Sequence, residues 1–260
     1  MKPLARFAKF PSMEKLVVRV PVADMRSAPQ HRAERISQAL YGHAVEVLAQ
    51  QDEFVRTRAD DGYSGWIASD YLQPQSILAG NMTVVTSQIA VFSGNDDKRR
   101  LSLPYGAVLR SAGGELFYDV HGRDLHLVFG RLSLADKVDL PEALREAQSL
   151  ISVPYLWGGT SSFGYDCSGL VQAIYRRCGI VLPRDSKDQA ATGTEVNLAE
   201  AASGDLVCFP GHVALYLGEG QILHSSRLRA GVQIESLLAG SENFRADLAD
   251  KITTIRRVIP

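Results

Sequence analysis

Cys167 stands where a Gly- and Ser-rich stretch, WGGTSSFGYD, turns into an amphipathic one, CSGLVQAIYRRC. A cysteine at a helix start lies in the partial positive charge of unpaired N–H groups, which favours the thiolate, the nucleophilic form. Such a sulfur needs a base. His212 opens the run HVALYLG, and His224, 12 residues later, lies in QILHSS. Two antiparallel strands joined through LGEGQ would bring the rings together, His212 as base and His224 as the orienting third group. The Cys167 amide is then placed to donate into an oxyanion hole. Gly169 is expected to leave room for a substrate backbone, and Gly158-Gly159 to keep the approach loop slim. Two other readings compete on the residues alone. A free cysteine is commonly an inert core side chain, as Cys178 and Cys208 are expected to be. Cys167, His212 and His224 could instead hold zinc, although they lack the paired short-spacing ligands of structural zinc sites.

These residues need a scaffold, and the pattern after Asp139 supplies one. LPEALREAQSLIS predicts a helix with Pro141 in its first turn and an early Glu142. In the helix that Cys167 begins, Leu170, Val171, Ile174 and Cys178 make one apolar face, and Gly179 is the expected C-cap. A short helix around SKDQAATG precedes the strand candidates DLVCF, HVALYLG, QILHSS, GVQIES and ITTIRRVI. Helices first and a meandering antiparallel sheet after predict an α+β domain over 139–260.

The first half differs. Residues 16–73 hold short strand patterns, LVVRVPVADM, AVEVLAQ, EFVRTRA and SGWIASDYL, separated by turns such as Ala59-Asp60-Asp61-Gly62. They predict a small β-barrel, and 81–135 repeat the theme in MTVVTSQIAVF, AVLRSAGG, ELFYDV and DLHLVFG. A joint is expected around Pro74-Gln75-Ser76, giving units over 1–75 and 76–138. His31, His43, His121 and His126 fall in this half and are expected at the surface.

Bulk properties narrow the function. The 260 residues are 45% hydrophobic and 22% charged, with formal net charge −1, which lacks the basic excess of a nucleic-acid-binding surface. No apolar run approaches the roughly 20 residues that span a bilayer. Three cysteines without a CxxC pair do not resemble a disulfide framework. The first residues, MKPLARFAKFPSMEKLVV, lack the apolar core of a signal peptide, so a cytoplasmic location is expected.

The run YLWGGTSSFGYDCSGLVQAIYRRCGIVLPRDSKDQA, with GHVALYLG and ILHSS, resembles the NlpC-type family of bacterial cell-wall cysteine peptidases over residues 140–260. DGYSGWIASDYL in the first half is similar to the bacterial SH3-like domains often fused to them. The resemblance implies a papain-like α+β catalytic domain preceded by two small all-β SH3-like barrels. It implies Cys167, His212 and His224 as the catalytic triad, and Tyr155 as a hydroxyl that helps stabilise the oxyanion. A bland alternative is that Tyr155 merely packs beside Pro154. In the subgroup with fused SH3-like domains, the bond cut joins γ-D-glutamate to a diamino acid in peptides with a free N-terminal L-alanine. Asp166 then matches the carboxylate that pairs with the substrate ammonium, although it is also a favoured N-cap residue. An acid beside the nucleophile raises its pKa, and amine pairing would give it a purpose. Ser168 and Ser186 match substrate-contacting hydroxyls, Trp157 an aromatic wall, and Tyr63 is a candidate to line the same subsite.

One phrase departs from the pattern. Where relatives often read Tyr-Gly-Glu, this chain reads Tyr41-Gly42-His43. A histidine cannot replace a carboxylate opposite an ammonium, so either another acid such as Glu46 serves, or selection rests more on Asp166. The resemblance implies a monomeric endopeptidase of recycled murein peptides that uses no metal or organic cofactor, its first barrel a lid over the subsites beyond the amine. A secreted hydrolase of polymeric peptidoglycan, a non-catalytic murein-peptide sensor, and an acyltransferase or amidase using the same triad are the rivals.

Overall fold

The computed structural model describes residues 15–75, 79–95 and 100–259. Two compact units result, one formed by the chain up to Val85 with Ile89–Ala135, the other by Thr86–Gln88 with the chain from Asp136 onward.

The N-terminal unit is all β. Its first sheet contains β1 (Lys15–Val18), β2 (Val22–Arg26), β3 (Arg35–Leu40), β4 (Ala44–Gln51), β5 (Phe54–Arg58), β6 (Ser64–Ala68) and β7 (Leu72–Pro74), in the order β3-β2-β6-β5-β4-β1-β7. Alternate residues point inward, as a strand period of two requires. Val45 and Val47 of β4 and Ala23 and Met25 of β2 thereby join Leu16, Val55 and Ile67 in one core. The second sheet contains β8 (Asn81–Val85), β9 (Ile89–Gly94), β10 (Arg100–Pro104), β11 (Val108–Gly113), β12 (Leu116–Tyr118), β13 (Asp124–Phe129) and β14 (Leu132–Leu134). Phe92 meets Phe117 edge to face at 5.4 Å within its core.

Tyr41-Gly42-His43 is where these two sheets join. Tyr41 is buried in the second core, and its hydroxyl accepts a hydrogen bond from the Val120 amide at 2.8 Å. Gly42 has φ +79°, and a Cβ there would lie 2.0 Å from the Val108 carbonyl oxygen, so no side chain fits. His43 is half-buried, with Nε2 2.9 Å from the Gly106 carbonyl oxygen. The expectation of a surface histidine is therefore corrected, because backbone contacts between the sheets enclose the ring. Part of the joint expected at Pro74-Gln75-Ser76 lies outside the described residues.

The C-terminal unit is α+β. Its helix α1 (Leu140–Ala147) starts at Asp139, whose carboxylate accepts from the Glu142 amide at 2.8 Å. The hairpin β15 (Thr160–Ser161) and β16 (Gly164–Tyr165) leads into α2 (Cys167–Arg177). Gly179, at φ +74°, ends α2 in a Schellman arrangement: its amide bonds Arg176 and the Ile180 amide bonds Tyr175. The short α3 (Ser186–Gln189) is followed by β17 (Thr194–Val196), β18 (Leu206–Phe209), β19 (His212–Gly218), β20 (Gln221–Ser226), β21 (Gly231–Ser236), α4 (Ala246–Ala249) and β22 (Thr254–Arg257). The sheet order β17-β22-β18-β19-β20-β21 contains the expected meander, with β22 returning beside β18. α2 packs across β19 and β20, which carry the two histidines.

Candidate active site

Three neighbouring strands bring the polar side chains into line. Extending the Leu215–Leu223 register sets His224 opposite Ala214, two residues from His212 and on the same sheet face. On the other side His224 pairs with Gln233, two residues from Glu235, again on that face. Both steps are diagonal neighbours, within reach of long side chains. His212 Nε2 lies 2.8 Å from His224 Nδ1, and His224 Nε2 lies 2.6 Å from Glu235 Oε2. His224 is fully buried and Glu235 nearly so. Glu235 also accepts from Arg245 at Oε2 and from Arg229 Nε at 2.9 Å, and Arg245 is paired in turn with Asp247 at 2.7 Å.

Cys167 is the first residue of α2 and is buried. Its Sγ takes hydrogen bonds from the backbone amides of Val213, the neighbour of His212, and of Ser168. Burial, reinforced by the negative charge of Asp166, nevertheless pushes its thiol up to about 11. Burial above all depresses His212 to about 3. The expectation that the helix start favours the thiolate meets an opposing effect: burial pushes both the thiol and the imidazole toward their neutral forms. The helix start and Arg184 act in the expected direction, but desolvation of the sulfur outweighs them. The zinc alternative has no support in the geometry, since the facing nitrogens of His212 and His224 bond each other. Among the described residues no group of three or more His, Cys, Asp or Glu is arranged to hold a metal ion.

Asp166 is the N-cap of α2, its Oδ1 accepting from the Gly169 amide at 2.8 Å. Oδ2 accepts from the Gly158 amide at 3.0 Å, which ties the approach loop to the helix. Arg184, only 3% exposed, grips both oxygens at 3.1 and 2.5 Å and donates to Ser168 Oγ at 2.9 Å. The sequence reading does not pick out Arg184. Its guanidinium neutralises Asp166 and fills most of its lone-pair sites. The other acid considered for the substrate amine, Glu46, is bridged to Arg58 at 3.3 Å in the N-terminal unit. Gly169 serves packing rather than substrate access, because a Cβ there would meet the Gly159 carbonyl oxygen at 2.1 Å.

Tyr155 bridges Tyr165 and donates its backbone amide to Ala230, which holds it in the site wall. Burial, followed by the charges of Cys167 and Asp166, raises its hydroxyl to about 12, so it remains a donor at neutral pH. Trp157 is 64% exposed on the approach loop. Ser186 begins α3, half-buried. Tyr63 lies in the β5–β6 turn, its amide bonded to Asp61 at 2.9 Å. Cys208 is buried as expected, whereas Cys178 is only half-buried.

Residues 152–244 match the NlpC/P60 family, and residues 21–73 match the bacterial SH3 domain. The γ-D-glutamyl-L-lysine dipeptidyl-peptidase of Bacillus subtilis (strain 168) is 31% identical over 227 residues, covering 77% of this chain and 75% of that protein. The chain belongs to the NlpC/P60 family. This NlpC/P60 chain is also similar to dipeptidyl-peptidase 6 of Lysinibacillus sphaericus, 27% identical over 267 residues that cover 92% of this chain and 97% of the relative. The crystal structure of an NlpC/P60 family protein from Bacillus cereus shares its fold, with TM-score 0.80 at 22% identity over 95% of this chain and 100% of that one. It is accordingly a cysteine peptidase whose N-terminal half includes a bacterial SH3 domain.

Proposed function

We propose that this NlpC/P60 peptidase is a γ-D-glutamyl-L-diamino acid endopeptidase of murein peptides with a free N-terminal L-alanine. It would work as a cytoplasmic monomer in the recycling of cell-wall peptides. The observation that carries this is the similarity to the Bacillus subtilis γ-D-glutamyl-L-lysine dipeptidyl-peptidase, which extends well beyond the peptidase domain. The His212–His224 hydrogen bond, and Cys167 at the head of α2 with the Val213 amide on its sulfur, support the chemistry.

In this reading the substrate carbonyl enters beside Cys167, whose proton passes to His212 as sulfur attacks. The amide of Cys167 and the Tyr155 hydroxyl receive the developing oxyanion. His212 then protonates the departing amine of the diamino acid, and water, deprotonated by the same ring, releases the acyl group. The Asp166–Arg184 pair is neutral overall, so selection of the free amine cannot rest on Asp166 alone. Ser168, Ser186 and Trp157 complete the proposed substrate contacts.

The decisive experiment compares L-Ala-γ-D-Glu-diaminopimelate with its N-acylated form, following γ-glutamyl cleavage by mass spectrometry. Cleavage of the free peptide alone supports the reading. Equal rates would remove the free-amine requirement and favour action on polymeric peptidoglycan.

A further inference from the structure

The hydrogen-bond chain does not stop at His224. Beyond it stands Glu235, a carboxylate with a buried side chain, held by Arg229 at 2.9 Å and by Arg245, which is itself paired with Asp247. A carboxylate gripped by two guanidinium groups is ionised and can only accept hydrogen bonds. Nε2 of His224 must therefore be the donor in the 2.6 Å contact. In a neutral His224 ring with that proton on Nε2, Nδ1 is bare and can only accept from Nε2 of His212 across 2.8 Å. That leaves Nδ1 of His212 without a proton.

We propose that Glu235 is a positioning residue that sets the tautomer of both histidines through His224 and so leaves Nδ1 of His212 free to take the Cys167 proton. This rests on the assignment of Cys167 and His212 under the proposed function. Without the carboxylate, His224 could hold its proton on Nδ1 and donate it to Nε2 of His212. The proton of His212 would then sit on Nδ1, and the ring could not act as a base toward sulfur. Arg245 and Arg229 keep Glu235 ionised and aimed. Once His212 is charged during turnover, the same carboxylate polarises His224 and stabilises the imidazolium through it.

The test is a long-range proton–nitrogen correlation spectrum of the full chain labelled with nitrogen-15 histidine. His212 and His224 are assigned by loss of signals in His212→Gln and His224→Gln. In the unmutated protein both rings should carry the proton on Nε2 alone; a proton on Nδ1 of either neutral ring overturns the proposal. Glu235→Gln and the charge-balanced double variant Glu235→Met with Arg245→Met give the kinetic arm. Changing the direct partner of a catalytic histidine costs up to about 10⁴-fold in kcat. Glu235 acts one ring further away, so a loss of roughly 10²-fold is expected, with KM nearly unchanged and mixed tautomers at His212. A folded double variant with unmoved kcat and tautomers would also overturn the inference. If that variant does not fold, the spectrum of the unmutated protein decides by itself. Cys167→Ala run alongside separates the layers: retained turnover topples the nucleophile assignment, while the tautomers remain a valid reading of Glu235.

Discussion

Arg184 holds Asp166 by both carboxylate oxygens at the cap of the helix that begins with Cys167, with nitrogen–oxygen distances of 3.1 and 2.5 Å. Both side chains are almost fully buried. The pair therefore fixes the helix start, the approach loop and the sulfur in one piece, and its loss should be felt in all three.

Arg184→Ala strands a buried carboxylate. Breaking a buried pair from one side costs on the order of 3–5 kcal/mol, a large fraction of a domain's stability. Urea unfolding should show that loss, and Arg184→Lys should recover only part of it, because an ammonium cannot reproduce the two-pronged grip. A shift below 1 kcal/mol for the alanine variant would mean that Asp166 finds another partner.

Cys167 should titrate as a buried thiol. Its value is raised to about 11, so the thiolate fraction in the free enzyme grows only as pH climbs toward that value. The rate of alkylation by iodoacetamide should keep rising above pH 9. A plateau from pH 5 to 8 would reveal a preformed ion pair with His212. Asp166→Asn removes a negative neighbour and should move the alkylation curve to lower pH.

Tyr155→Phe removes the proposed oxyanion donor while keeping the ring. Loss of one such donor elsewhere costs about 10²–10³-fold in kcat, with substrate affinity little changed. Because burial raises the hydroxyl to about 12, the unmutated enzyme should show no tyrosine ionisation in its pH–rate profile below pH 10. An unaltered kcat in the variant would return Tyr155 to a packing role.

Glu235 makes the fold sensitive to acid. Burial would raise its pKa, but the bonds from His224, Arg229 and Arg245 win and hold it at about 2, below the ordinary 4.5. A depressed carboxylate contributes stability that is complete above its unfolded value and is lost as pH falls through the folded one. The contribution, on the order of 2–3 kcal/mol, should disappear between pH 4.5 and 2. Urea midpoints measured across that window should fall less steeply for Glu235→Gln than for the unmutated chain.

Much of this site could be read in the chain itself. Asp166, Cys167 and Gly179 are local signals, since caps and a cysteine at a helix start are set by neighbours a few residues away. The 12-residue interval from His212 to His224 spans one hairpin, so their meeting follows from strand parity and a short turn. Glu235 obeys the same parity on the next strand, but the register there depends on the Arg227–Ala230 turn, whose geometry no pattern announces. The smaller strands β10, β14 and β17 were also silent, being short and only partly buried.

The sequence by itself determined the order of β-rich and α+β halves, the cysteine at the head of its helix and the two histidines. Those features arise from periodicity and local hydrogen bonding. The tertiary structure alone decided how strongly burial opposes the charged forms of Cys167 and His212, and the partners of the acids. How deeply a sulfur is desolvated, and which guanidinium reaches a carboxylate 18 residues away, depends on packing that brings distant segments into a low-dielectric interior. Asp166 illustrates the division: its place at the cap is local, but its neutralisation by Arg184 exists only in the folded molecule.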